Sequence, residues 1–530
     1  MKYPYENLEK LTLPSLLKRS VGLYAENKAS GKVGEEAFTY NEFNTKVQDT
    51  IKILRINGIT KGDKVLLLGE NMPHWGIAYF AITYFGAVVV PVLPDFHPED
   101  IHRIIEHSEV KAVIVSDKFS KIINSYKTHK IATILNLNSL ELISEPVNID
   151  NLSSEMTKPD ENDLASLIYT SGTTGSSKGV MLSHKNLVAN AMSAYVQVSI
   201  KPNDIFLSVL PLAHTFECTV GLTIPILHGS SIYYIDKVPT PSVLLKAFKI
   251  VRPTMMVTVP LIIEKIYKNK ILPNFTSSFI LSHLYQISFF RKILNKMAGK
   301  KLLETFGGRL RFFGIGGAGI SKFVEQFLIE AKFPFIIGYG LTETAPLLAG
   351  SILGGTIKPQ STGIAMAGVE LKIEDGEILA KSPSIMMGYY KDKEKTAEVM
   401  RDGWFLTGDL GHIDEDGYLF ISGRSKNVII GSGGENIYPE QIEAIINQNS
   451  LVEDALMIEQ DTKLIAKIKL NRELLDENIS DDEIANILET MRQEINSQIS
   501  SFNRMVKFVE EKEAFIKTPT KKIKRYLYTE

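Results

Sequence analysis

Cysteine is almost missing from this chain: Cys218 is the only one in 530 residues. One thiol excludes an intramolecular disulfide and a cysteine-built metal cluster, and it fits a reducing cytoplasm. A charge excess of either sign is missing too, with 59 Lys and Arg against 61 Asp and Glu. That balance argues against nucleic acid as a main partner. The first ten residues are charged and hold no apolar h-region, so no secretory leader is expected. No period recurs along the chain, which excludes a solenoid. Long uncharged runs are few, and residues 75–93 come nearest the ~20 residues a membrane-spanning helix needs. Gly86, Pro91 and the β-branched run from Val88 to Val90 interrupt that run, so a buried helix followed by a buried strand is expected instead.

What the chain does have is alternation. Over residues 40–116 helical periodicity (41–57, 74–85, 98–108) alternates with short apolar strands (64–69, 88–92, 112–116). This order predicts α/β architecture, with parallel sheets covered by helices on both faces. Residues 138–163 are polar and weakly patterned, and read as a connector. The length calls for at least two domains.

The organising stretch is LIYTSGTTGSSKGVML, residues 167–182. An apolar strand runs into Thr170, Ser171, Gly172, Thr173, Thr174 and Gly175, then reaches Lys178, with helix expected from Ser183 on. Glycines let backbone N–H groups turn toward an anion, hydroxyls add donors, and a lysine adds a point charge. The stretch therefore reads as a phosphate-gripping loop. It is not the P-loop NTPase pattern, which places Lys directly after the second Gly and a hydroxyl after that. Residues 309–319 read as a strand and then Gly314-Ile315-Gly316-Gly317-Ala318-Gly319, with a helix from Ser321. That matches G-x-G-x-x-G, so a dinucleotide-binding dehydrogenase is a local rival, testable by NAD titration.

Taken together the motifs resemble the adenylate-forming superfamily of acyl-CoA synthetases, luciferases and peptide-synthetase adenylation domains. They stand in family order along nearly the whole chain: the loop at 170–179, PLAHTFE at 211–217, Gly316-Gly317-Ala318, Tyr339-Gly340-Leu341-Thr342-Glu343, Gly403-Trp404-Phe405 with Thr407-Gly408-Asp409, Gly423-Arg424, and GSGGENIYP at 431–439. PLAHTFE and the tail Thr518-Pro519-Thr520-Lys521-Lys522 are most similar to the long-chain fatty acyl-CoA synthetase branch.

The resemblance implies a large domain over 1–424 with parallel and mixed sheets, and a small mobile α+β domain over 425–530. It implies ATP and CoA as substrates with Mg²⁺ as cofactor, and a fatty acid as the acid. The alternative is an adenylating enzyme that loads a carrier protein or uses another carboxylic acid. Residue by residue, it implies that Gly316, Gly317 and Ala318 line the adenine, with Tyr339 on the ring and Gly340 and Leu341 beside it. Thr342 would touch the α-phosphate. Glu343 and Thr170 would hold Mg²⁺, Asp409 and Arg424 would reach the ribose, and His214 would lie by the substrate carboxylate. Lys178 and Lys522 would stabilise charge, with Lys521 and Lys524 as neighbours of the tail lysine. Lys426 would be the hinge, and Gly433, Gly434 and Glu435 would face CoA.

One stretch falls outside this scheme. Residues 265–311 interleave lysines and arginines with large apolar side chains, and Glu304 is their only acid. The pattern suits a peripheral contact with an anionic membrane face, or a hairpin packed on the domain with its lysines in water.

Overall fold

The computed structural model describes residues 8–126, 131–146, 157–170, 177–237, 239–276, 278–431, 434–476, 478–518 and 522–529. Ser171 to Gly175, Gly433 and Lys521 lie outside the described residues.

Two large sheets form the body. One has seven strands in the order Gly388–Tyr389, Lys178–Ser183, Leu164–Thr170, Val88–Val92, Lys64–Leu68, Ala112–Val115, Thr133–Asn136. Its last five are parallel and its first two pair antiparallel. The other has nine strands, with a parallel centre from Lys28–Lys32 through Ser231–Tyr234, Ile205–Ser208, Met255–Thr258 and Phe312–Ile315 to Phe335–Gly340. The helix Pro73–Tyr84 packs against strands of both sheets, which explains why it is apolar all round. Residues 75–93 are thus the expected buried helix and buried strand. Among the described residues no helix is long and apolar enough to cross a membrane.

A smaller antiparallel sheet follows, built from Glu370–Glu374, Glu377–Lys381, Met400–Arg401, Trp404–Ile413 and Leu419–Arg424. Beyond it, Val452–Gln460, Lys463–Leu470 and Lys507–Glu510 form a three-stranded sheet under the helices Pro439–Ile446 and Asp481–Gln498. These last elements have a core of their own, with Ile442, Ile446, Leu488, Met491 and Phe508 buried together. Mixed sheets, covering helices and a terminal α+β unit are the expected fold class.

Two local expectations are corrected. The phosphate loop does not join a strand to a helix. Lys178–Ser183 is a strand returning antiparallel to Leu164–Thr170, and the helix His184–Ser193 begins only after Ser183 caps it. The apolar run Val180-Met181-Leu182 pairs with its predecessor before any helix can start. Second, the strand expected at 309–313 is Phe312–Ile315, so Gly314 and Ile315 lie inside the sheet. A dinucleotide fingerprint uses its first glycine in the turn after the strand, and here that turn starts at Gly316.

Candidate active site

The site lies beyond the carboxyl ends of the parallel strands, where open α/β sheets leave a crevice. Phe335–Gly340 delivers Tyr339 and Gly340 to it. Gly340 has to be glycine, because a Cβ there would stand 1.7 Å from the carbonyl oxygen of Pro346. The short 3-10 turn Thr342–Thr344 follows, pinned by Asn190, whose amide donates to Thr344 O at 3.1 Å and Leu347 O at 2.8 Å.

Asp409 and Arg424 face each other as cross-strand partners in the small antiparallel sheet. Arg424 Nε stands 2.8 Å from Asp409 Oδ1, and the Tyr339 hydroxyl donates to Oδ2 at 2.6 Å. Burial raises the Asp409 pKa, while the Arg424 charge and the tyrosine bond oppose the rise. Burial, and then the Asp409 charge, push the Tyr339 phenol well above its usual range, so it stays a donor. A carboxylate holding two donors this way can hand them over to a diol that offers two of its own.

Glu343 sits across the crevice. Its Oε1 accepts from the Tyr389 hydroxyl at 2.9 Å. Tyr389 comes from the edge strand that pairs with Lys178–Ser183, and Lys178 Nζ stands 4.8 Å over its ring. Thr170 is the cross-strand partner of Lys178, so the two residues frame the base of the loop between them.

The tail closes the crevice. Lys522 N donates to Thr518 Oγ1 at 3.1 Å and Thr518 N to Lys522 O at 2.8 Å, which ties the backbone of the lysine to Thr518. The Lys522 side chain reaches solvent yet stands among enough protein for burial to lower its pKa. Arg424 lowers it further, while Asp409, Glu343 and Glu440 oppose. Lys426 is lowered by burial, then by Arg424, Lys178 and Lys522, with Asp409 opposing. His214 is held near 4 by burial, with Lys522 as the second cause, so its imidazole is neutral at pH 7. Its Nδ1 accepts from Phe216 N at 3.2 Å. Lys178, Arg424, Lys426 and Lys522 therefore share one electrostatic field, although they span most of the chain.

Gly317 and Ala318 are an exposed turn on the crevice wall, with Gly317 at φ +87°. A Cβ on buried Gly316 would meet the Phe216 ring at 3.1 Å. Phe216 also lines an apolar cavity behind the crevice, with Gln197, Val220, Ile224, Gly338 and Met366. The cavity is small, about 40 Å³, and opens to solvent. Gln197 is 2% exposed, and neither atom of its amide has a hydrogen-bond partner among the described residues. Beside the cavity runs the π-helix Glu217–Thr223, whose first residue is fully buried. Ser208 donates to Glu217 Oε1 at 2.5 Å, Oε2 has no partner among the described residues, and burial pushes the pKa to about 8.

The sequence-predicted residues Lys178, Thr170, Glu343, Asp409, Arg424, Lys426, Lys522, Tyr339 and His214 come together here. Gly434 and Glu435 form a turn bonded to Gly431. Sequence reasoning left Tyr389, Glu440, Gln197 and Glu217 without roles. Tyr389 lay in plain view in Met387-Gly388-Tyr389-Tyr390, but only sheet pairing brings it to Glu343. Glu217 closed the PLAHTFE segment unassigned. Gln197 and Glu440 carry no sequence signal.

The AMP-binding enzyme family model matches residues 18–390, and the model of the AMP-binding enzyme C-terminal domain matches 426–529. The chain belongs to the AMP-binding enzyme family. With membership of that family, the dehydrogenase rival falls away. The chain is 29% identical to the peroxisomal long chain acyl-CoA synthetase 7 of Arabidopsis thaliana, across 82% of this chain and 69% of that one. It is 27% identical to a long-chain-fatty-acid–CoA ligase of Bacillus subtilis, across 84% and 82%. Its fold matches O-succinylbenzoate coenzyme A synthetase of Bacillus subtilis in complex with ATP and magnesium ion, at TM-score 0.76 and 21% identity over 96% and 98% of the two chains.

Proposed function

We propose that this member of the family is an AMP-forming ligase that joins a fatty acid to CoA. The observation that carries the reading is the cationic field itself. Three lysines and an arginine from distant segments crowd one crevice, and two of the lysines have pKa values lowered, first by burial and then by the neighbouring cations. Such a field suits a polyphosphate, whose charge would relieve the repulsion. The acid carboxylate attacks the α-phosphorus of ATP, the bond to pyrophosphate breaks, and acyl-AMP forms. The CoA thiol then attacks the acyl carbon, AMP leaves, and the thiol proton passes to solvent.

Because the nucleophile in the first step is the substrate's own carboxylate, the protein's task is to stabilise charge on a crowded phosphate. Lys178 and Lys522 do so. Asp409 accepts the ribose hydroxyls in place of its present donors, Arg424 and Tyr339. Gly316, Gly317, Ala318, Gly340 and Leu341 line the base, and Thr342 meets the α-phosphate. Neutral His214 sits by the carboxylate and adds no charge there.

The residues also fit Mg²⁺. Glu343 keeps one oxygen free of Tyr389, Thr170 offers a hydroxyl, and no cluster of three acidic, His or Cys side chains occurs among the described residues. A cation held by one carboxylate, substrate phosphates and waters is the usual habit of magnesium. Bound there, it neutralises charge on the triphosphate. The apolar cavity receives the acyl chain, and the long-chain relatives favour a fatty acid over an aromatic one. We divide the chain at 424/425, with the smaller part turning about Lys426 so that Lys522 withdraws and residues 433–435 approach CoA.

ATP–pyrophosphate exchange against a panel of acids tests this reading. Exchange should require Mg²⁺ and a fatty acid, and added CoA should give acyl-CoA and AMP. Exchange without acid, or ADP as product, overturns it. A preference for aromatic acids, or transfer to a carrier protein but not CoA, overturns only the substrate assignment.

A further inference from the structure

The hairpin Phe279–Gln286 and Ser288–Thr305 stands away from the crevice and has two unlike faces. Its inner face is anchored. Arg291 pairs with Glu330 at 3.0 Å, Asn295 Nδ2 donates to the same carboxylate at 2.7 Å, and Gly299 lies so near Ala331 that a Cβ there would meet the alanine Cβ at 2.6 Å. Its outer face is left open by the described residues. Phe279 is 80% exposed, Ile280 70%, Phe289 68% and Met297 65%, with Ile293 also exposed.

On the longer helix, Phe289, Ile293 and Met297 follow one another at i, i+4, i+8 and form a stripe. Lys292, Lys296 and Lys300 form a second stripe beside it, all exposed. Across 265–311 the only acid is Glu304. We propose that this outer face seats on an anionic lipid bilayer, with the aromatic and aliphatic stripe inserted at the acyl boundary and the lysines against headgroup phosphates. An exposed apolar stripe flanked by lysines is what such a surface selects. A second copy of the chain fits less well, because it would bring a second lysine stripe and, across 265–311, a single acid to answer either one.

The test sediments the full chain with phosphatidylcholine vesicles, with and without phosphatidylglycerol. Binding should require the anionic lipid and weaken as salt rises from ~0.1 M to ~1 M, where screening shortens from ~10 Å to ~3 Å. The triple variant K292E/K296E/K300E should partition on the order of a hundredfold more weakly. F279S/F289S should also lose binding, which separates insertion from charge attraction alone. Both variants should keep the wild-type melting temperature and turnover of a soluble short-chain acid. Absent wild-type binding, or unchanged binding in both variants, overturns the proposal. So does a wild-type dimer in gel filtration that F279S/F289S converts to monomer without any vesicle binding. None of the outcomes that overturn the proposal depends on which acid the enzyme activates.

Discussion

The crevice and the cavity behind it meet at Phe216 and Gly316, and their polar groups are treated in opposite ways. In the crevice, Asp409 holds a donor on each oxygen, Glu343 holds Tyr389, and Lys178 lies over that same ring. Each group has a partner it can exchange for a ligand atom. In the cavity, the Gln197 amide is buried with none among the described residues. Buried polar groups normally find partners, so an unmet one needs a reason. The contrast teaches that two ligand problems are solved differently. A fixed, charged ligand is met by groups pre-ordered against one another. On the proposed function, a mostly apolar one would be met by a cavity in which a single amide stands in reserve.

The largest test of the comparison breaks the crevice. Lys522→Ala should slow adenylation by roughly 10²–10³, the scale of losing one preorganised charge stabiliser. It should still convert supplied acyl-adenylate and CoA to thioester. Lys426→Pro, which fixes φ at the proposed hinge, should show the reverse defect. Single-turnover assays separate the two half-reactions. Equal loss of both in folded Lys522→Ala protein would remove the tail lysine from the first step. Lys524→Ala reproducing the defect alone would move the role two residues along.

A smaller effect is expected from Glu217. Its pKa is about 8 in the native protein, raised from 4.5 by burial, so the native state keeps a proton that the unfolded state releases near 4.5. Stability from this group is therefore fully present below about 4.5 and lost as pH rises toward 8. Glu217→Gln has no such proton. Its stability relative to wild type should climb between pH 5 and 8 and level off above, by about 4 kcal/mol. Both tryptophans, Trp75 and Trp404, lie outside 425–530, so their fluorescence during urea unfolding reports the part that holds Glu217. Parallel wild-type and variant profiles from pH 5 to 9 would show that the carboxyl is ionised in the native state.

The crevice was largely legible in the sequence, and the cavity was not, for a physical reason. Crevice groups ride on short backbone runs whose shape needs particular residues. Gly340 permits the approach to Pro346, and Asp409 with Arg424 are register partners between two strands joined by a tight connection. Such runs survive as contiguous motifs. Lys178 reads from the sequence as a candidate phosphate ligand, although the sequence shows its strand as part of a loop, because charge and glycine carry that signal and sheet pairing does not. Tyr389 was missed since its meeting with Glu343 depends on an edge strand some two hundred residues from the strand it joins. The cavity is drawn from the ends of many elements, and burial of Gln197 is a tertiary property with no local pattern. The basic hairpin was legible as a pattern. Only the packing of Gly299 and Arg291 shows which of its faces is turned outward.

Gln197 gives the finest cut between the two regions. It lines the cavity within reach of Gly350, where a Cβ would stand 3.2 Å from its Cγ. A saturated acyl chain entering the cavity leaves the amide unpaired, whereas a chain with a hydroxyl part-way along can satisfy it. An unmet buried amide costs about 1–3 kcal/mol, and a leucine in its place has nothing to satisfy. Gln197→Leu should therefore shift the ratio of kcat/KM for a saturated acid over its mid-chain hydroxylated counterpart by about tenfold toward the saturated one. The exchange rate with the preferred acid should change little, because the crevice groups are untouched. If the ratio stays put while both acids lose activity together, Gln197 only fills space, and the cavity owes its selectivity to shape. If the ratio moves toward the hydroxylated acid, the amide is already satisfied by water in the working enzyme, and cavity and crevice are provisioned alike after all.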